Sequence, residues 1–537
     1  MARHPYFERL LSAARVARFA DERGLDTTTA LGMAGEERER NRAATRRTFL
    51  IGATAATAAL LANDALAGPK PKPAAKKSVA IVGAGLAGLA CADALATKGV
   101  VAAVFEANGR AGGRCWSERS LFPGQTVERG GELVDNLHKT MLGYAGRFGL
   151  DVEDVNKAPG ELTYYFFGQH HSEAEVVDQY RVLVPRMRAD LKGASGEPSA
   201  LSFNARDLEL DALSLGDWLD TRAADLPLIR EVVRVAYEGE YGLSTYEQSS
   251  LSFLLFIHAD RRAKFAPFGV FSDERYHLVD GNDGVVAGLA AALPAPIQFG
   301  HALTRLSRNA PGKFVLEFAG KPTQTFDRVV LTVPFSVLRA SVTLDASLGL
   351  STAKRNAIAT LGYGDNAKTM IGFDSRPWAT AGGNGAAYTD EPGVQVVWET
   401  NPTNAGPGGV LTDYASAERG ANLTSQPLQA QIDNFLAGTE AFWPGMTAAA
   451  SRPAGPGTPV RALREHWPSN PRSLGSYTCY RPGQFTTVCG LEGQPAGNLY
   501  FAGEHADSFY SWQGFMEGAC ISGLTASASV LASMTPA

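Results

Sequence analysis

The stretch VAIVGAGLAGLACADALATKGVVAAVFEANGRAGGRC, Val79 to Cys115, decides the fold. Val79 to Val82 is a short apolar run of the kind that forms a buried parallel strand. Gly83, Gly85 and Gly88 follow at G-x-G-x-x-G spacing, and a helix begins there. The first glycine permits the tight turn, the second lets the backbone approach a pyrophosphate, and the third lets the helix lie close to the strand. The helix N-terminus then holds the phosphates through its free amides and dipole. After a second apolar run, VVAAVF, comes Glu106, placed to accept from ribose hydroxyls. Strand, helix, strand and acid stand in the order that a dinucleotide-binding unit requires.

NAD and FAD both fit that unit. NGRAGGR, Asn108 to Arg114, separates them. The Gly112-Gly113 backbone and Arg114 can reach a second stretch of pyrophosphate, and an R-x-G-G-R continuation belongs to two-domain flavin proteins rather than to nicotinamide dehydrogenases. Far downstream, GNLYFAGEHADSFYSWQGFMEGACISG supplies a strand at Leu499 to Ala502, a turn at Gly503-Glu504 and a glycine-rich helix start around Gly514 to Ser522. That segment is expected to fold back and complete the flavin site with its amides and Glu504, so the cofactor domain is assembled from distant pieces.

With both ends placed, the chain resembles the flavin-containing amine oxidase family, which includes monoamine, polyamine and L-amino-acid oxidases. The resemblance runs from about Ser78 to Leu531. It also rests on VERGGELVD after the first flavin segment, FDRVVLTVPFSVL at Phe326 to Leu338, GDNAKTMIGF at Gly364 to Phe373, and HWPSNPRSLGSYTCYRPG at His466 to Gly483. It implies that Leu303 offers backbone contacts to adenine and that Trp467 packs near the flavin ring. It also implies that Lys368, an unusual ammonium inside an apolar strand, holds a water against flavin N5. Tyr477 and Phe515 match the two walls of an aromatic cage, with Trp512 nearby; aromatic faces attract an amine nitrogen. Members with covalent flavin carry a cysteine just before the tyrosine, where this chain has Ser476, so the FAD is expected to be noncovalent. The implied reaction is hydride transfer from the carbon bearing a neutral amine to the flavin. Imine hydrolysis to a carbonyl compound and ammonia follows, and molecular oxygen reoxidises the flavin to give hydrogen peroxide. No histidine base is required, and His138, His466 and His505 read as structural.

An amino-acid substrate needs a cation for its carboxylate, preferably an arginine fork. The position that matches the animal L-amino-acid oxidases' arginine is Leu133, and Arg129 is the nearest substitute. GGELVDNLHKTMLGYAGRFGL resembles the bacterial, exported L-amino-acid oxidases, which is the favoured branch. A primary-amine or polyamine oxidase is the alternative, with Glu132 as partner for a cation. A flavoprotein desaturase or electron carrier is a further reading, against which Lys368 and the aromatic pair argue.

The whole chain has 537 residues, 45% hydrophobic, with a net charge of -5. Nothing in that charge draws it to nucleic acid. Five cysteines, few and odd in number, indicate no disulfide framework; a Cys479–Cys489 bridge is unsupported, and no metal-ligand spacing is present. TRRTFLIGATAATAALLANDALAG joins Arg46-Arg47 to an apolar run too short for a membrane span and then to Ala65-Leu66-Ala67. This resembles a twin-arginine export signal, cleaved after Ala67, which would use the twin-arginine machinery and place the protein in the periplasm or outside the cell. The alternative is an amphipathic helix with an alanine-rich linker in a cytoplasmic protein. The preceding residues read as a separate short helical arm, and residues 68–77 as an extended tether. The expected class is α/β: a Rossmann-like FAD-binding domain from residues 78–135, 285–340 and 485–535, interleaved with an α+β substrate domain from 136–284 and 341–484. Leu208 to His258 reads as mostly helical and as a cover for the active site. TNPTNAGPGG reads as a surface loop that gates it. Whether the chain forms a homo-oligomer is left open.

Overall fold

The computed structural model describes residues 16, 17, 20, 24–31, 33, 77–258 and 275–534. A four-stranded parallel sheet, in the order Leu499–Phe501, Arg328–Leu331, Val79–Val82 and Ala103–Phe105, gathers strands from three separate parts of the chain. The Val79–Val82 and Arg328–Leu331 strands are buried at every residue, which is why, apart from the buried Arg328, they read as apolar runs. The helices Leu86–Thr97 and Met516–Ala532 pack together beside this sheet. Their approach needs small residues: a Cβ on Gly523 would stand 2.2 Å from Ala87 O. At Gly88 the limit is tighter still, since a Cβ there would stand 2.0 Å from Gly83 O. Gly83 has φ +110°, a backbone state that only glycine adopts at no cost.

The second large element is a seven-stranded sheet in the order Ala462–His466, Ala367–Phe373, Gly409–Ala415, Val396–Glu399, Gly383–Thr389, Glu161–Phe166 and Gln169–His171. All its pairs are antiparallel except Gly383–Thr389 with Glu161–Phe166. The helices Glu173–Asp190, Ala205–Ala212, Leu215–Arg222, Pro227–Tyr241 and Ser250–His258 form the helical part. A smaller sheet of Gln324–Phe326, Phe314–Phe318, Leu303–Arg308 and Thr343–Leu344 adjoins the parallel sheet at Phe105, which packs on Phe318 and Phe326. All five cysteines are free thiols and buried, Cys479 and Cys489 among them. Among the described residues no helix is long and apolar enough to cross a membrane.

The N-terminal arm is not the separate element that its sequence suggests. Val16, Ala17, Ala20 and Ala30 are fully buried in one hydrophobic cluster with Val176, Tyr180 and Ile229. Arg181 reaches Thr27 Oγ1 at 2.8 Å and Leu25 O at 3.2 Å, while Thr27 donates to Asp178. The arm's alanines gave no sign of a partner, because burying a small side chain needs a close surface and leaves no strong periodicity. The arginine pair, the apolar run and the Ala65–Ala67 site lie outside the described residues. Removing residues 1–33 is expected to expose this face of the Glu173–Asp190 helix and lower Tm by roughly 2 °C or more. Calorimetry showing an unchanged Tm would mean that the arm's contacts add nothing to stability.

Candidate active site

A cavity partly open to solvent runs between the parallel sheet and the seven-stranded sheet. At one end lie Gly83, Gly85, Glu106, Gly112, Gly113 and the His301-Ala302-Leu303 segment. Gly112 and Gly113 have φ +101° and +57°, and the space above Gly85 is open apart from Gly112 O at 4.0 Å. The Glu106 carboxylate, nearly buried, accepts from Ala84 N and Asn108 N at 2.8 Å each and so is fixed at the tip of its strand. Gly88 does not line the cavity; its place is the contact with Gly83.

The middle is closed by the returning C-terminal segment. Arg114 Nη1 pairs with Glu504 Oε1 at 2.9 Å and donates to Ser476 O at 2.6 Å, while Glu504 Oε2 accepts from Thr478 at 3.0 Å. Gly503, at φ +138°, brings the chain around into this contact. Trp467 lines the cavity and is held by Nε1 on Arg129 O at 3.0 Å.

The other end is aromatic. Lys368 lies in the Ala367–Phe373 strand, which has neighbours on both sides, and the residue is only 5% exposed; it is not a solvent-facing edge lysine. Its Nζ donates to Glu132 Oε2 at 2.6 Å, Gly130 O at 2.8 Å and Glu128 O at 3.3 Å. Glu132 Oε1 accepts from Trp398 Nε1 at 2.9 Å, and both residues line the cavity with Tyr414, Tyr477, Phe515 and Leu133. Tyr414 and Trp398 went unnoticed in the sequence, because only strand pairing brings them here. Tyr414 stands directly opposite Lys368 and Val396, so it shares their face of the sheet, and Trp398, two residues beyond Val396, shares it too. The Tyr414 and Tyr477 hydroxyls are 2.7 Å apart, and Tyr477 also donates to Gly239 O at 3.3 Å.

Four expectations are corrected. Arg129 does not line the cavity: its guanidinium pairs with Glu465 Oε2 at 2.6 Å and stacks on Trp116 at 3.4 Å, an arrangement that consumes its fork. Trp512 also lies outside the lining, packed edge-on against His138 at 4.5 Å and Phe515 at 5.8 Å, and so supports the cage from behind. Among the described residues, none of the Leu208–His258 helical part lines the cavity, and its Gly239 carbonyl accepts from Tyr477. The Thr400–Gly409 loop is tethered rather than free, with Asn401 Nδ2 on Thr126 O at 2.7 Å and Arg376 Nη2 on Asn404 O at 3.0 Å. Burial drops His138 to about 3 and His505 to about 4, so both stay neutral at physiological pH. Among the described residues no cluster of three or more His, Cys, Asp or Glu could hold a metal.

A model of the family described as flavin-containing amine oxidoreductase matches residues 86–531. The chain belongs to that family. It is 25% identical over 476 residues to the putative L-amino-acid oxidase YobN of Bacillus subtilis, covering 83% of this chain and 93% of the relative. It is 25% identical over 490 residues to the flavin-dependent L-tryptophan oxidase RebO of Lentzea aerocolonigenes, covering 84% and 97%. The fold is similar to that of cyclohexylamine oxidase from Brevibacterium oxydans, with a TM-score of 0.72 at 19% identity over 86% of this chain and all of the other. The cofactor is FAD, and the residues present fit it: backbone free of Cβ at Gly83, Gly85, Gly112 and Gly113, and a fixed carboxylate at Glu106.

Two outcomes follow from this geometry. Ser476 donates its hydroxyl to Asn366 Oδ1 at 2.6 Å, and a serine offers no thiol for a flavin bond. Acid precipitation of the native protein should therefore release all its yellow colour into the filtrate; colour kept in the pellet would show a covalent link elsewhere. Lys368→Met should retain FAD yet slow flavin reduction or reoxidation in stopped flow. It also leaves the Glu132 carboxylate buried without its cation, at a cost of about 3–5 kcal/mol. Adding Glu132→Gln should recover Tm but not the rate, and unchanged half-reactions would remove Lys368 from the chemistry.

Proposed function

We propose that this chain is an L-amino-acid oxidase, converting an L-amino acid, oxygen and water to a 2-oxo acid, ammonia and hydrogen peroxide. The observation that carries the chemistry is the aromatic end of the cavity, where Tyr477, Phe515, Tyr414 and Trp398 surround the buried Lys368–Glu132 pair. FAD, when bound, supplies the acceptor for the two electrons of the C–N oxidation. The protein's part is to hold the amine-bearing carbon between aromatic faces and exclude water there. It also keeps the Lys368 ammonium fixed at that end of the cavity. The amino-acid branch is supported by YobN, a putative L-amino-acid oxidase, and RebO, an L-tryptophan oxidase, both of which this chain matches over most of its length. The same reading keeps FAD noncovalent and carries the folded protein out of the cytoplasm by its twin-arginine signal.

A second reading, a primary-amine oxidase, is favoured by one observation: Arg129, the nearest arginine in the sequence, is spent on Glu465. Arg110, Arg114 and Arg472 line the cavity, with Arg110 bound to Gly113 O and Arg114 to Glu504. The substrate pairs L-phenylalanine with phenethylamine and L-lysine with cadaverine decide between them, with peroxide as the readout. A charged hydrogen bond to the carboxylate contributes about 1.5–3 kcal/mol, so the amino acid should be preferred roughly tenfold to more than a hundredfold in kcat/KM. Preference for the amine in both pairs would overturn the amino-acid reading. Because its fork is already occupied, Arg129→Ala should leave the ratio unchanged.

A further inference from the structure

Behind the Lys368–Glu132 pair lies a second buried polar group that the proposed chemistry does not use. Glu128 and Asn282 are both fully buried. The Glu128 carboxyl accepts from Asn282 N at 2.8 Å and from Ser117 Oγ at 3.0 and 2.8 Å on its two oxygens. Asn282 Nδ2 donates to Gly131 O at 3.1 Å and Glu132 O at 2.6 Å, and its Oδ1 accepts from Leu278 N at 3.1 Å. One side chain thus clamps the peptide that carries Glu132, while its own amide clamps the carboxyl of Glu128. The Glu128 carbonyl in turn accepts from Lys368 Nζ. Segment 128–132 is therefore held from behind by Asn282 and grips Lys368 in front.

Every hydrogen bond on the Glu128 carboxyl comes from a neutral donor. The charged and titratable groups that face it are His277, Glu132, Arg119 and the Cys115 thiol, with Asp283 paired to Arg119 and accepting from Ser117 N. Lys368 touches only its carbonyl. His277 sits 2.7 Å from Glu153 Oε1 and is pushed up by that neighbour despite its burial. Burial raises the Glu128 carboxyl to about 7, against the lowering pull of Asn282, Ser117 and His277. A group in that setting gains or loses its proton within the working range.

We propose that Glu128 and Asn282 are positioning residues for Lys368, and that the protonation state of Glu128 sets how segment 128–132 holds the ammonium at the cavity. Ionised Glu128 places a second negative charge near Glu132, so its ionisation shifts the balance among the oxygens that Lys368 contacts. The inference rests on the proposed amine oxidation only where turnover is the readout.

The test uses the FAD-loaded full chain between pH 5 and 9. It follows the visible absorption of the bound flavin without substrate, and the anaerobic rate of flavin reduction with L-phenylalanine and phenethylamine. The wild type should show an inflection near pH 7 in both. Glu128→Gln should abolish it with FAD content retained, and Glu128→Asp should restore one. Asn282→Ala should slow reduction on the order of tenfold or more with little change in KM, as misplacement of a reacting group does. If Glu128→Gln fails to fold, Ser117→Ala, which removes one donor from the carboxyl, should move the inflection upward. An inflection that survives Glu128→Gln, or a wild type flat across the range, overturns the proposal. A spectral inflection lost in Glu128→Gln, in a protein that oxidises neither substrate, supports it and tells against the amine-oxidation reading instead.

Discussion

The buried Lys368–Glu132 ion pair joins the two halves of this molecule. Glu132 follows the first flavin segment, whereas Lys368 belongs to the seven-stranded sheet, and their 2.6 Å contact closes the cavity where those halves meet. A pair so buried loses its hydration on both sides, and the direct contact alone does not return that cost. The additional partners do: two backbone carbonyls on the ammonium and the Trp398 indole on the carboxylate. Those partners come from segment 128–132 and from the Val396–Glu399 strand, so the pair is stable only when both domains are already assembled. The charge is therefore a consequence of the fold as much as a tool of the chemistry.

How much of this was legible in the sequence follows from what each signal encodes. The glycines of the nucleotide turn are local constraints: Gly88 is fixed by a contact with Gly83 five residues away, and any reader of the strand, turn and helix meets it. Lys368 was legible for a different reason, since an ammonium within an apolar strand is costly and calls for a partner. That partner, Glu132, is 236 residues away and could be weighed only as a rival cation site. Tyr414 and Trp398 carried no such signal. An aromatic residue in a strand has two faces to choose from, and the choice was made by its register against Lys368 and Val396.

Arg129 shows the reverse case. It stands beside the glycine pair, and nearness in sequence to a site suggested a role in it. Arg129, however, sits in the bend just past the short Val127–Glu128 strand: Gly130, Gly131, Glu132 and Leu133 line the cavity, while its guanidinium is turned toward Glu465 and Trp116. Glu465 lies opposite Lys368 in the sheet. The arginine thus supports the strand that carries the lysine, and its backbone carbonyl seats Trp467. Its contribution to the site passes through other residues.

Pairing of the charged side chains around the cavity has a consequence for what can react there. Among the described lining residues, the carboxylates Glu132 and Glu504 are each matched to a cation, and Glu106 is held by backbone amides. An arriving ammonium group finds no unpaired carboxylate at the aromatic end and meets only the faces and hydroxyls of Tyr414, Tyr477, Phe515 and Trp398. Aromatic faces return about 0.5–2 kcal/mol to a cation, well below the several kcal/mol lost on stripping its water. The neutral amine escapes most of that loss and keeps its lone pair for the oxidation. A cavity built this way favours the deprotonated form of its substrate by the same pairing that stabilises its walls, so its selectivity and its stability have one physical origin.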